Sequence, residues 1–306
     1  MRKIAHLTST HFPFDARVFH KECRTLAAAG YETHLVVPHE TSEEVGGVHV
    51  HGVESPQSRA ERVLKTTVSV GRQAWALDAD LYHIHDPELL PLAVLLSTAG
   101  HTVVYDAHED LPANMLARDW IPEEMRSSVS WAAGKVESLL ANRVDGIVAA
   151  TPAIEDRFAR AAPPVATVQN FPVLDDVDHA VSSTSYLDRP PQAAYVGGLT
   201  PARGTVQMIE ALGAVDAALQ PTMTIAGHFG SAELEQRTTR LEGWGRVDFR
   251  GRVPQEEVFR ILGNARMGLV VMQPVPNYVA AQPLKLFEYM AAGIPVVASD
   301  FPLWRR

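Results

Sequence analysis

Short apolar runs rich in Val and Ile alternate with longer stretches of 3.6-residue periodicity along nearly all of the 306 residues. That alternation limits the fold more than any other feature. A run without polar interruptions suits a strand covered on both faces, and strands that alternate with helices assemble as a parallel sheet with helices packed on it. In the first half the pattern predicts strands at 4–8, 33–37, 48–53, 81–85, 102–105, 146–150 and 165–168. Helices are expected over 16–29, closed by Gly30, and over about 59–77, 88–97, 123–142 and 152–161. A second series places strands at 193–197, 223–226, 247–250, 267–272 and 295–298, with helices over 205–219, 233–241, 254–265 and 284–292.

Between the two series, residues 171–192 carry Asp175, Asp176, Asp178, several Ser and Thr, and Pro190-Pro191, without buried periodicity. The expected organisation is therefore an α/β domain over 1–175, a linker over 176–192 and a second α/β domain over 193–306. With 46% hydrophobic and 21% charged residues, disorder is excluded. A net charge of -9 argues against neutralising a nucleic-acid backbone, so any anionic ligand must meet local cations. The apolar stretch 89–100 is broken by Pro91, Ser97 and Thr98 and falls short of the ~20 residues that span a bilayer. A single cysteine, Cys23, and an N-terminus without a signal-peptide core lead us to expect a reducing, cytoplasmic compartment.

Two segments carry chemistry. In Pro283-Leu284-Lys285-Leu286-Phe287-Glu288-Tyr289-Met290-Ala291-Ala292-Gly293-Ile294-Pro295, Pro283 starts a short helix and Gly293 ends it. Lys285 and Glu288, three apart, share one face. A cation in the first turn beside free N–H groups suits a phosphate, and a carboxylate one turn deeper suits hydroxyls. A nucleotide offers both, whereas the plainer reading is a surface lysine in an i,i+3 ion pair. In Tyr195-Val196-Gly197-Gly198-Leu199-Thr200-Pro201-Ala202-Arg203-Gly204, a strand ends in glycines that admit a ligand to the backbone, and Arg203 can fork onto phosphate. Alone it reads equally as a tight turn.

Together with Phe12-Pro13-Phe14-Asp15-Ala16-Arg17-Val18, these segments resemble a bacterial family 4 glycosyltransferase over essentially the whole chain. The resemblance implies the GT-B fold of two facing Rossmann-like domains, the second one incomplete here, because the family continues past this chain's last residue with a helix that crosses back to the first domain. It implies a retaining, metal-independent transfer from a nucleotide-sugar donor to a glycan or lipid-linked acceptor, as in polysaccharide biosynthesis, with chemistry between the domains and without a cofactor. Glu288 would bind the donor ribose, and Arg203 and Lys285 would hold the diphosphate beside the turn of Gly198 and Gly204. His108, in Tyr105-Asp106-Ala107-His108-Glu109-Asp110, is the expected catalytic residue near the transferred sugar, and the same residue has a plainer reading as a loop histidine bonded to backbone. Asp15, Arg17, His85 and Asp86 fall on the acceptor side, with Asp15 also readable as a helix cap. Two departures stand out: the family's first glutamate is Ala280 here, and its usual phosphate-loop arginine is Gly198. Gln282 or a backbone amide near Ala281 would then serve the donor sugar.

Rival readings remain open. His83 and His85 point the same way from a strand and could begin a metal site of the amidohydrolase kind, but that kind needs further ligands from a (β/α)8 barrel that the two series do not form. No metal is therefore expected. Arg59, Arg62, Lys65 and Arg72 among Val63, Leu64, Val68, Val70 and Trp75, with Met115, Leu116, Trp120 and Ile121 after His108, suit peripheral contact with an anionic membrane at its inner face, or an ordinary solvated helix. A nucleotide-sugar-binding protein without turnover and a GT-B sugar-nucleotide epimerase are the alternatives in function.

Overall fold

The computed structural model describes residues 2–58, 61–118, 120–175, 177, 185–279 and 281–305. Two compact units divide the chain, Met1–Asn170 and Phe171–Arg306. In the first, β1 (Lys3–Leu7), β2 (Glu32–Pro38), β3 (Glu43–Val45), β4 (Val48–Val53), β5 (Leu81–Ile84), β6 (Thr102–Ala107), β7 (Gly146–Ala149) and β8 (Val165–Thr167) form one sheet in the order β3-β4-β2-β1-β5-β6-β7-β8. Every neighbouring pair is parallel except β3 with β4, a hairpin that the sequence pattern did not announce. The chain order reverses at β1, with β2 on one side and β5 on the other, and such a reversal opens a crevice at the strands' carboxyl ends. Ala5, Leu7, Tyr82 and Ile84 of β1 and β5 sit in the main core, with Val70, Ala74 and Leu77 of the Thr67–Leu77 helix packed in the same cluster.

The helix expected over 16–29 departs from regularity. Its first part, Val18–Cys23, is π-helical, and an α-helix occupies Arg24–Ala28. In a π turn, residues five apart align. Glu22 N–H bonds the Arg17 carbonyl at 3.0 Å, and the two side chains meet, Arg17 Nε to Glu22 Oε1 at 2.9 Å. Residues 111–116, to which the sequence pattern assigns no element, are a helix in which Asp110 accepts the Ala113 N–H at 3.2 Å and Pro112 sits in the first turn. Ile121, grouped with Met115, Leu116 and Trp120 as surface for a membrane, is buried.

The second unit holds β9 (Gln192–Val196), β10 (Thr222–Ala226), β11 (Val247–Gly251), β12 (Met267–Val270) and β13 (Val296–Ala298), all parallel, in the order β11-β10-β9-β12-β13. Phe259, Leu262, Val270 and Tyr289 belong to one of its cores, and Tyr195, Met208, Ile209 and Ile225 to the other. Here the order reverses at β9. Of the stretch read as a linker, Val177 is buried in the second unit's core, Arg189 Nη1 donates to the Ala265 carbonyl at 3.2 Å, and Tyr186 Oη to the Arg266 carbonyl at 3.0 Å. These bonds tie its described part to the second unit, so the division falls at residue 170. Asp176 and Asp178 lie outside the described residues.

Candidate functional site

In the second unit, the Gly197-Gly198 turn leaves β9 where the strand order reverses, and the Leu284–Ala291 helix lies between β12 and β13. Gly197 has φ +123°, open to glycine, and a Cβ built there would stand 3.1 Å from Lys285 Nζ and 3.7 Å from Arg203 Nη1. Both cations therefore converge on this bare backbone. Lys285 is 9% exposed, its Nζ lies 4.1 Å from the centre of the Tyr195 ring, and among the described residues it has no hydrogen-bond acceptor. A desolvated cation–π contact is worth about 2 kcal/mol, whereas burying a lone ammonium costs several. Burial, and then the nearby Arg203 charge, push the lysine down to about 7 against the partial support of Glu288. Arg203 is steadied by Tyr278, its Nε donating to the hydroxyl at 3.4 Å, and its Nη1 donates to the Gly198 carbonyl at 3.3 Å. A Cβ at Gly198 would come within 3.0 Å of that Nη1, so the guanidinium of Arg203 occupies the space a side chain at 198 would take. Glu288 is buried and accepts from Gln255 Nε2 at 3.2 Å.

Gly204 does something different. With φ +71°, it caps the Thr205–Ala214 helix, and a Cβ there would fall 2.0 Å from the Val271 carbonyl oxygen. Close packing, rather than ligand approach, requires this glycine. Ala280 lies outside the described residues.

In the first unit, the strand ends at β1, β5 and β6 bring together a cluster of histidines and carboxylates. His108 Nε2 stands 3.3 Å from Asp106 Oδ2 and 3.0 Å from His85 Nδ1, and His85 Nε2 stands 2.9 Å from His6 Nδ1. A carboxylate only accepts, so the proton sits on His108 Nε2, then on His85 Nε2, and finally on His6 Nε2, which is buried without a partner. Burial, with the neighbouring His83, holds His6 and His85 well below the ordinary imidazole range, so both are neutral. Asp106 is fully buried, which alone would raise its carboxyl, but His108 and His83 outweigh burial and hold it well below the usual range. Glu22 moves the other way, raised by burial and by the Asp106 charge.

The residues expected on the acceptor side hold this cluster and its surroundings together. Arg17 Nη2 donates to both Asp106 oxygens at 3.0 and 3.1 Å, and its Nη1 to the Val168 carbonyl at 2.9 Å. Buried and committed to those partners, Arg17 is a strut and presents no free guanidinium to a substrate. Asp15 Oδ1 accepts the Arg17 and Val18 N–H groups at 2.8 and 3.0 Å, the capping role. Asp86 Oδ2 accepts from the Thr8 hydroxyl at 2.6 Å and the Ser9 N–H at 2.7 Å, clamping the loop after β1 to the end of β5. His108 keeps 14% of its side chain exposed, as does His83, and the His11 ring stacks 4.9 Å from His108.

A family model described as glycosyl transferase 4-like domain matches residues 16–172, more than half of the chain, and one described as glycosyl transferases group 1 matches residues 190–305. The chain belongs to the group 1 glycosyltransferases. No curated protein matches it. Among solved structures, this glycosyltransferase is similar to WaaG, a glycosyltransferase involved in lipopolysaccharide biosynthesis, at TM-score 0.72 and 16% identity, covering 97% of this chain and 81% of that one. It is similar to sucrose-phosphate synthase from Thermosynechococcus elongatus, at TM-score 0.70 and 16% identity over 97% and 81%. Anabaena HepE, in complex with UDP and glucose, matches at TM-score 0.62 and 19% identity over 97% and 80%. The fold is thus GT-B, with one Rossmann-like domain in each unit.

Sequence reasoning missed several members of these sites. His6 and Glu22 join His85 only because β1 pairs with β5, placing His6 beside His83, and because the π turn swings Glu22 inward. Tyr195, Tyr278 and Gln255 shape the glycosyltransferase's second-unit site, and nothing in their local sequence distinguishes them from ordinary core or helix residues.

Proposed function

We propose that this glycosyltransferase moves a hexosyl or related group from a nucleoside diphosphate sugar to a glycan or lipid-linked acceptor, with retention and without a metal at the diphosphate. The observation that carries the reading is the buried, unpartnered ammonium of Lys285 converging with Arg203 on the Gly197-Gly198 backbone. Arg203 and a lysine that a bound anion would protonate, both beside the side-chain-free glycine backbone, match a diphosphate, and Glu288, one turn on, matches ribose hydroxyls. Transfer forms the bond from the acceptor oxygen to the anomeric carbon as the bond from that carbon to the diphosphate oxygen breaks. The acceptor proton passes to the departing phosphate on the same face, which retains configuration and needs no protein nucleophile. Lys285 and Arg203 stabilise the charge that grows on the leaving group, the task a metal performs elsewhere. His108, held by Asp106 and His85, positions the sugar and supports its transition state.

The HepE structure holds UDP and glucose, and an E. coli trehalose-6-phosphate structure holds UDP-2-fluoro glucose, which favours a nucleotide-sugar donor. Leu64, Val68 and Trp75, exposed and at helical spacing beside Arg72, favour an acceptor presented at the inner face of a membrane. Arg59 of that face lies outside the described residues, and among the described residues no helix is long and apolar enough to cross a membrane. The test is a screen of UDP-, ADP- and GDP-hexoses with glycan and lipid-linked acceptors, the product's anomeric configuration being read by NMR. Donor binding without turnover across the panel would support a binding protein instead, and an inverted product would overturn retention.

A further inference from the structure

Four donors meet at the carboxyl ends of β1 and β5: His6 from β1, His83 from β5, His85 immediately after it, and Glu22 from the π-helical segment. One ligand-capable atom from each lies within 4.8 Å of all the others. Glu22 Oε2 is 3.9 Å from His6 Nδ1 and 3.8 Å from His85 Nε2, and those two nitrogens are 2.9 Å apart. A tetrahedral zinc with bonds of about 2.0–2.1 Å needs donor separations of about 3.4 Å, so the cluster reaches that geometry with side-chain shifts of about an ångström. We propose that His6, His83, His85 and Glu22 form a buried site for one divalent transition-metal ion of the zinc class.

Three further observations favour an ion over a cluster of neutral imidazoles. Glu22 Oε2 is buried without a hydrogen-bond partner although it stands within 3.9 Å of both His6 Nδ1 and His85 Nε2, and a folded interior seldom leaves a carboxylate oxygen unsatisfied. The donor set is three imidazoles and one carboxylate, which suits zinc and its transition-metal neighbours and not magnesium or calcium, whose ligands are oxygens. Asp106 Oδ2 stands 3.8 Å from His85 Nδ1, the side of the ring away from the cluster, where a carboxylate orients a metal-bound imidazole. Binding takes His85 as its other neutral tautomer, the proton moving from Nε2 to Nδ1 on the side of Asp106, which leaves His85 Nε2 and His6 Nδ1 as lone-pair donors to the ion. It also explains the π turn, since an α-helical 17–23 would turn Glu22 off the line of Arg17 and out of the donor set. The ion would pin β1, β5 and the first helical segment together and fix the ring that supports His108.

This inference does not rest on the transferase reading, because its readout is metal content. The full chain, purified from zinc-supplemented cells without a metal-affinity step and dialysed against a weak chelator, is expected to keep about one equivalent of zinc. Cobalt added to the stripped protein should give the intense visible bands of tetrahedral coordination, a signal that needs no variant to fold. H83Q and E22Q should each lose the metal. H49Q/H51Q, which empties the separate histidine group where His34 Nδ1 meets His51 Nε2 at 2.9 Å, should keep it. Less than about a tenth of an equivalent in folded wild type, with no cobalt band, would overturn the site. So would metal lost from H49Q/H51Q but retained by H83Q and E22Q.

Discussion

The Lys285 ammonium gives the sharpest test of the donor site. Burial, and then the Arg203 charge, push it down to about 7. At pH 8, then, only about a tenth of the lysines are charged, whereas a bound diphosphate brings two negative charges beside Nζ and restores the proton. Binding should therefore take up about 0.9 proton at pH 8 and about 0.1 at pH 6, and affinity should fall up to about tenfold per pH unit above 7. Calorimetry with UDP-glucose, or whichever nucleoside diphosphate hexose binds, in two non-phosphate buffers of different ionisation enthalpy reads the uptake as the slope of apparent enthalpy. Lys285→Met should bind more weakly and lose the slope. The sign extends to stability: unfolded lysine keeps its proton to about 10.4 and the folded one releases it near about 7, so the unfolded state binds more protons across that window and stability rises with pH through it. No uptake in wild type at pH 8 while the donor binds, or uptake that survives in Lys285→Met, would refute the argument.

Glu288→Ala should weaken nucleoside and nucleotide alike by ~1.5–3 kcal/mol, about 10- to 150-fold, while Arg203→Ala should weaken the diphosphate and leave the nucleoside unchanged; equal losses for both ligands in both variants would place these residues elsewhere. Gly204→Ala meets the Val271 carbonyl at 2.0 Å with φ at +71° and should cost at least about 1–3 kcal/mol in denaturant unfolding, an outcome that a neutral result would contradict. Asp106→Asn leaves the Arg17 guanidinium buried without its carboxylate and should destabilise the first unit by about 3–5 kcal/mol, measured by the urea midpoint of that unit's transition. EDTA should leave nucleotide affinity unchanged, since Lys285 and Arg203 supply the charge at the diphosphate; a lost affinity restored by magnesium would reverse that reading.

What local sequence determines here is the alternation and its punctuation. Strand 48–53 and the helix from Leu284 were legible because apolar period, Pro283 and Gly293 act over a few residues. Lys285 and Glu288 were legible for the same reason: a helix fixes which residues three apart share a face. The placing of these two side chains relative to each other therefore emerged from sequence. The partners of the first unit's residues did not. Asp15 takes the capping position that the sequence also offered, whereas Arg17, His85 and Asp86 bond Asp106, Val168, His6 and Thr8, which other strands and the turns just after them supply.

The histidine cluster shows the physical cause. His83 and His85 alone are a pair with no further ligands in view, and no local pattern says that β1 lies beside β5 across more than seventy residues of chain. Strand order is set by which apolar faces and crossovers pack together, a choice made by the whole sheet. Burial depends on the same choice, and so does the charge state of Lys285: the sequence supplies an ordinary lysine, and only the packing of Tyr195 and Arg203 around it removes the water that would keep it protonated.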